Sequence, residues 1–326
     1  MRYSLAFVAA IAATVQAHGV ITSIQGANGV NMPGLSVQDG TPRDCATPGC
    51  GSEADTSIIR TREMGGKASA LGRTNGGGAV DAAAAISMFM GAGTGTAAAA
   101  PAAPAASAAT AATAGGNTAT AGTSSAKTSG ATTQQQQKRG LLDALTGGKA
   151  GGAGKTGAAG GADAAGTKTP KGTTEDTVSK AAGTGASSGL PTTADDGTVT
   201  MTFHQVNQDG AGPLTAAIDP TSGGTDPAAF QDAQVTQNVP GIGIGGLSGA
   251  TTTDFPVKVQ MPAGMTCSGT AGGASNVCIV RMQNSALAGP FGGSAAFTQS
   301  AAAKKRAVEY NLRKRHMARG ILGKPE

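Results

Sequence analysis

The sequence predicts an all-β protein, an antiparallel β-sandwich of immunoglobulin or fibronectin-like type with loop-rich insertions. Three observations lead there. Residues 199–204 (Val-Thr-Met-Thr-Phe-His) and 255–261 (Phe-Pro-Val-Lys-Val-Gln-Met) alternate apolar and polar side chains, the period of a half-buried strand. Turn dipeptides recur throughout, at Pro33-Gly34, Asp39-Gly40, Asp209-Gly210 and Pro240-Gly241. Four cysteines, Cys45, Cys50, Cys267 and Cys278, fall in short loops rich in Gly, Pro, Ser and Thr. An even count in a chain bound for an oxidising compartment favours disulfides, and the local pairs Cys45–Cys50 and Cys267–Cys278 reach bridging geometry most easily.

In chain order, residues 1–17 read as a signal peptide: Arg2 supplies the charged start, residues 5–15 the apolar stretch, and Val15-Gln16-Ala17 the small-x-small end. Cleavage would leave His18 as the first residue. Residues 18–90 form the first half of the split domain, with a strand expected at 19–24 and one helical turn or more at 56–62. Residues 91–194 are dominated by Ala, Gly, Thr and Ser without a period of 2 or 3.6, and read as a disordered insert. Short helical stretches are expected in it at 140–145 and 174–182. Residues 195–299 complete the domain, with a third strand expected at 276–281. Residues 300–326 form a basic tail with a weak helical face of Val308, Leu312 and Met317, and Lys305-Arg306, Arg313-Lys314-Arg315 and Lys138-Arg139 offer dibasic processing sites.

The net charge of +5 comes largely from Lys304, Lys305, Arg306, Arg313, Lys314, Arg315 and Arg319, so the basicity is a tail property and no argument for nucleic acid. No apolar run after the signal peptide approaches the ~20 residues needed to span a bilayer. The expected product is an extracellular monomer.

His18 is the residue that carries chemistry. An α-amine and the imidazole Nδ1 of the same residue chelate one metal ion, and a second imidazole completes a three-nitrogen site suited to Cu(II). Of the remaining histidines, His316 lies in the basic tail, whereas His204 shares the polar strand face with Thr200 and Thr202. His18 and His204 are therefore the expected metal ligands. Gln205 and Asp209, with Gln283 and Gln299 as further options, are the residues available to handle protons or oxygen species. Phe291 or Phe297 would block the axial direction or fill the core. Hydrolytic readings lack support: there is no G-x-S-x-G, no HExxH and no free Cys beside a His. The carboxylate pairs Glu53/Asp55 and Asp195/Asp196 read as turn formers.

The segments His-Gly-Val-Ile-Thr-Ser-Ile-Gln-Gly-Ala-Asn-Gly-Val at 18–30, Asp-Gly-Thr-Pro-Arg-Asp-Cys at 39–45, Gly-Ser-Glu-Ala-Asp-Thr at 51–56, His-Gln-Val-Asn-Gln-Asp-Gly-Ala-Gly-Pro-Leu at 204–214 and Ala-Gly-Pro-Phe-Gly-Gly at 288–293 resemble the fungal appressorial penetration family of Gas-like or Egh-like virulence factors. The resemblance implies secretion and a role at appressoria in host penetration. The family's N-terminal His and the His of the 204–214 block are similar to the histidine brace of lytic polysaccharide monooxygenases, which gives His18 and His204 a copper-ligand role and a wall or cuticle polysaccharide as substrate. The family also carries cysteines where this chain has Met282 and Ser294, as if one disulfide were lost. With no Trp, and with Tyr3 and Tyr310 outside the expected core, no aromatic platform for stacking on sugar is present. The rival reading is a non-enzymatic protein that binds wall or host surface through its basic tail and Gly-rich loops.

Overall fold

Alternation in residues 198–205 becomes a strand because one face has a core to meet: Val199, Met201 and Phe203 are buried in it, while Thr200 and Thr202 stay half-exposed. The computed structural model describes residues 18–92, 162–163, 165–242, 247–286 and 288–322. Its elements are β1 (Gly19–Gln25), β2 (Asn31–Pro33), β3 (Ser57–Ile58), β4 (Arg73–Thr74), β5 (Gly78–Ala79), α1 (Ala82–Phe89), β6 (Ala162–Asp163), β7 (Thr167–Lys168), α2 (Thr177–Ala181), α3 (Gly185–Ser188), β8 (Thr198–Gln205), β9 (Thr215–Asp219), β10 (Gln231–Asn238), β11 (Thr253–Gln260), β12 (Gly269–Ala271), β13 (Ala274–Gln283), β14 (Phe291–Phe297) and α4 (Ala301–Leu322).

The strands form a continuous, mostly antiparallel sheet in the order β2-β1-β8-β11-β10-β9-β13-β14-β3-β4-β5. The expected antiparallel β class holds, and the two layers are one sheet curled on itself. β10 is the corner: Gln234–Gln237 pair with β11, while Gln231–Ala233 pair with β9. The curl brings β14 against β1, where a Cβ on Gly293 would lie 2.6 Å from the Ile21 nitrogen, so only glycine permits this approach. Ile21, Met201, Phe203, Val257, Ile218, Met282 and Phe297 share the core so enclosed. The outer side of β13 is covered too, since Ile279 packs near Gly224, which itself adjoins Leu71 and Ala82 of α1. Burial on both sides explains the unbroken apolar run Val277-Cys278-Ile279-Val280.

Cys45–Cys50 and Cys267–Cys278 are both bridged, as expected. Met282 and Ser294 are not the remains of one disulfide. Met282 pairs with Gly293 and Arg281 with Ser294, so the two side chains leave the ladder on opposite faces.

The expected signal peptide at 1–17, most of the expected insert, the helical stretch at 140–145 and Lys138-Arg139 lie outside the described residues. The C-terminal end of the insert differs from expectation: residues 165–194 are built into the fold. β7 pairs with β11, α2 falls within the helical stretch expected at 174–182, and Glu175 is buried. A buried ion triad holds this segment. Arg43 Nη1 and Nη2 donate to Asp55 Oδ1 and Oδ2 at 3.0 and 2.5 Å, and Arg43 Nε donates to Glu175 Oε2 at 2.9 Å. Burial pulls the guanidinium pKa down, and the Asp55 and Glu175 carboxylates outweigh it, leaving Arg43 above its ordinary value.

Candidate functional site

His18 sits immediately before β1, and the ladder carries on past Gly19 because Val206 N–H donates to the His18 carbonyl at 3.0 Å. His18 is 2% exposed. Its backbone nitrogen donates to Asn207 Oδ1 at 2.8 Å, and Asn207 Nδ2 donates to Glu53 Oε1 at 3.2 Å. Glu53 Oε1 returns to within 3.2 Å of His18 Nδ1, yet that ring nitrogen makes no hydrogen bond. The ring lies against Phe291, with centroids 4.5 Å apart and planes tilted by 39°. Phe291 also packs with Ile58 and Ala286, and Phe297 lies in the main core.

His204 lies opposite Val20 of β1 and Asp254 of β11. Its Nδ1 is 2.7 Å from Asp254 Oδ1. An ionised carboxylate only accepts, so Nδ1 carries the hydrogen, and in the neutral ring Nε2 is then the lone-pair nitrogen. Nε2 is buried without a partner. Although it lies on the polar strand face, His204 is only 1% exposed, because residues 165–175 pack at this end of the sheet, where Thr169 Oγ1 reaches Asp254 Oδ2 at 3.5 Å.

The fold therefore brings His18 and His204 to the same end of the β1–β8 pair and gives them separate partners. Among the described residues no three His, Cys, Asp or Glu side chains group to hold a metal ion. Two imidazoles and an α-amine form a set that needs no such trio. Asp209 lies within electrostatic reach of His18 and Glu53; burial raises its pKa, a backbone hydrogen bond and His18 oppose, and Glu53 adds. Gln205 Nε2 lies within 2.9 Å of Asn207 O, Ser248 Oγ and Ala250 O, so it ties together the loops around the site. Gln299 accepts from Cys267 N and donates to Met265 O, both at 2.9 Å. Gln283 pairs with Gly292 and Thr215 in the sheet, and His316 is exposed on α4.

Sequence reasoning missed Glu53, Asn207 and Asp254. Glu53 and Asp55 are no mere turn formers: one faces His18 and the other neutralises Arg43. The signal for Asp254 was the β11 register, which is invisible without the sheet.

A family model described as Egh16-like virulence factor matches residues 16–292. The chain belongs to the Egh16-like virulence factor family. This Egh16-like protein is 54% identical over 325 residues to the appressoria-specific virulence factor GAS2 of Pyricularia oryzae (strain 70-15), covering 98% of this chain and 97% of that one. It is 38% identical over 143 residues to the appressoria-specific virulence factor GAS1 of the same strain, covering 43% of this chain and 55% of that one. No solved structure matches. A virulence-associated fungal protein is the function these relatives support, and no helix among the described residues is long and apolar enough to cross a membrane.

Proposed function

We propose that this Egh16-like protein is a secreted virulence factor which, once cut before His18, binds copper through the His18 amine, His18 Nδ1 and His204 Nε2, and acts oxidatively on a wall or cuticle polysaccharide. One observation carries the reading: the two ring nitrogens that such a brace requires, His18 Nδ1 and His204 Nε2, are both buried without a hydrogen-bond partner. Asp254 fixes the His204 tautomer that leaves Nε2 free to ligate. Asn207 holds the His18 nitrogen in place. Bound copper would supply one-electron redox chemistry that side chains lack. Asp209 lies within electrostatic reach of His18, and burial raises its pKa. Gln205 acts on the site through Asn207, whose carbonyl it binds. Two disulfides are consistent with an oxidising, extracellular destination.

Copper titration of chain processed at His18 tests the reading. His18→Ala and His204→Ala should each weaken binding by about tenfold or more, and one extra residue before His18 should do the same. Unchanged affinity in either alanine variant overturns it.

A second reading rests on α4, which exposes Val308, Leu312 and Met317 among basic side chains. It makes the protein a wall- or host-surface binder, with binding indifferent to chelators and weakened by salt.

A further inference from the structure

We propose that the cleft between α4 and the end of the sheet formed by β8, β11 and β10 binds a neutral oligosaccharide. The inference rests on the surface-binding reading above, to which it gives a site and a ligand class. It does not depend on copper, because Thr198 and His204 stand near opposite ends of β8, roughly 20 Å apart. The cleft encloses about 590 Å³, within the ~300–1,000 Å³ range of small-ligand sites.

Sheet register builds one wall. Gln234 of β10 lies opposite Gln260 of β11, which in turn lies opposite Thr198 of β8. Asp232 shares the face of Gln234, since strand side chains repeat every second residue. Gln260 is already held: it accepts from Thr198 Oγ1 at 3.1 Å and donates to the Asp196 carbonyl at 2.8 Å. Asp232 and Gln234 are exposed, and their side chains have no hydrogen-bond partner among the described residues. The helix builds the other wall, where Ala303, Arg306, Ala307 and Tyr310 follow a helical face toward the cleft. Gly264 fixes that helix in place. Its carbonyl accepts from Asn311 Nδ2 at 2.8 Å, and the Tyr310 ring rests so close that a Cβ on Gly264 would stand 2.8 Å from Cδ1. Tyr310 still keeps 46% of its surface open.

A sugar presents hydroxyls that donate and accept, and apolar C–H faces between them. The cleft answers each need: Asp232 accepts, the Gln234 amide does both, Arg306 donates, and Tyr310 offers a ring to lie against. Hydrogen bonds from Thr198, helped by the Arg306 charge, outweigh burial and keep the Asp196 carboxyl below its ordinary pKa. Two carboxylates against one guanidinium repel an acidic polymer, which leaves a neutral one. Sequence alone offered no aromatic platform; folding α4 back on the sheet supplies one.

The test is isothermal calorimetry of the full chain with cellohexaose, laminarihexaose and chitohexaose, beside retention on insoluble wall material. The expected result is binding of at least one hexasaccharide, unchanged by added salt or chelator. Tyr310→Ala and Asp232→Ala should each weaken it by about tenfold, whereas Tyr310→Phe, which keeps the ring, should not. Should Tyr310→Ala loosen α4, Asp232→Ala, which lies on the sheet, carries the test. Unchanged affinity in folded Asp232→Ala and Tyr310→Ala overturns the cleft, and so does wild type that takes up none of the three sugars. Retention on wall material that falls with salt and survives both alanine variants overturns the cleft and leaves the surface-binding reading standing. Hexasaccharide binding without any retention on wall material does the reverse.

Discussion

Glu53 and Asp55 stand two residues apart in one loop, both buried, and the fold uses them in opposite ways. Asp55 is fully paired: both its oxygens take hydrogen bonds from Arg43, whose Nε donates to Glu175. Glu53 takes one hydrogen bond from Asn207 and faces a His18 nitrogen that it does not hydrogen-bond. The first arrangement is closed and ties the 41–43, 53–55 and 173–177 segments together. The second leaves the His18 ring nitrogen without a hydrogen-bond partner.

The largest effect expected is at the closed end. Asp55→Ala strands a buried guanidinium and should cost about 3–5 kcal/mol, read from urea unfolding. Glu175→Ala leaves Arg43 its Asp55 partner and should cost less, about 1–3 kcal/mol, while exposing residues 165–194 to limited proteolysis. Glu53→Gln keeps the shape of the side chain and removes an incompletely paired charge, so its stability should change by less than about 1 kcal/mol. A loss as large as that of Asp55→Ala would erase the contrast between the two carboxylates.

The smallest effect is a pH dependence at Asp209. Its pKa is raised in the fold, chiefly by burial, so the protonated form is favoured there. Whatever stability this gives is present below the unfolded pKa and is lost as pH rises through the folded one. Asp209→Asn should therefore gain stability relative to wild type between acid and neutral pH. A gap that is flat with pH would place Asp209 in ordinary solvent. Asp219 has the opposite sign: burial raises its pKa, but hydrogen bonds from Ser222, Thr221 and Gly224 outweigh this and lower it. Its contribution is present above the unfolded pKa and is lost as pH falls.

How far the sequence could be read varied with the element. β1, β8, β11 and β13 lie where alternation or apolar runs put them, and both disulfides pair locally. β14 was missed because Phe-Gly-Gly-Ser-Ala-Ala-Phe looks like a loop; it is a strand since every residue in it is buried between neighbours that glycine lets come close. β10 was missed because Gln-Asp-Ala-Gln-Val-Thr-Gln-Asn is polar, and its role as the corner between layers asks for little burial. At the site, His18 and His204 were legible from position and strand period. Glu53, Asn207 and Asp254 were not, because each meets its partner at the site across a long stretch of sequence or through sheet register.

By itself the sequence determined the antiparallel β class, the local disulfides, His18 and His204 as the candidate pair, and the family. These follow from period, short spacing and residue identity, all of which are local. Only the tertiary structure decided which carboxylate neutralises Arg43 and which faces His18, and that residues 165–194 belong to the fold. Those outcomes depend on which distant segments meet when the sheet curls, and hydrogen bonding and desolvation act only once they do.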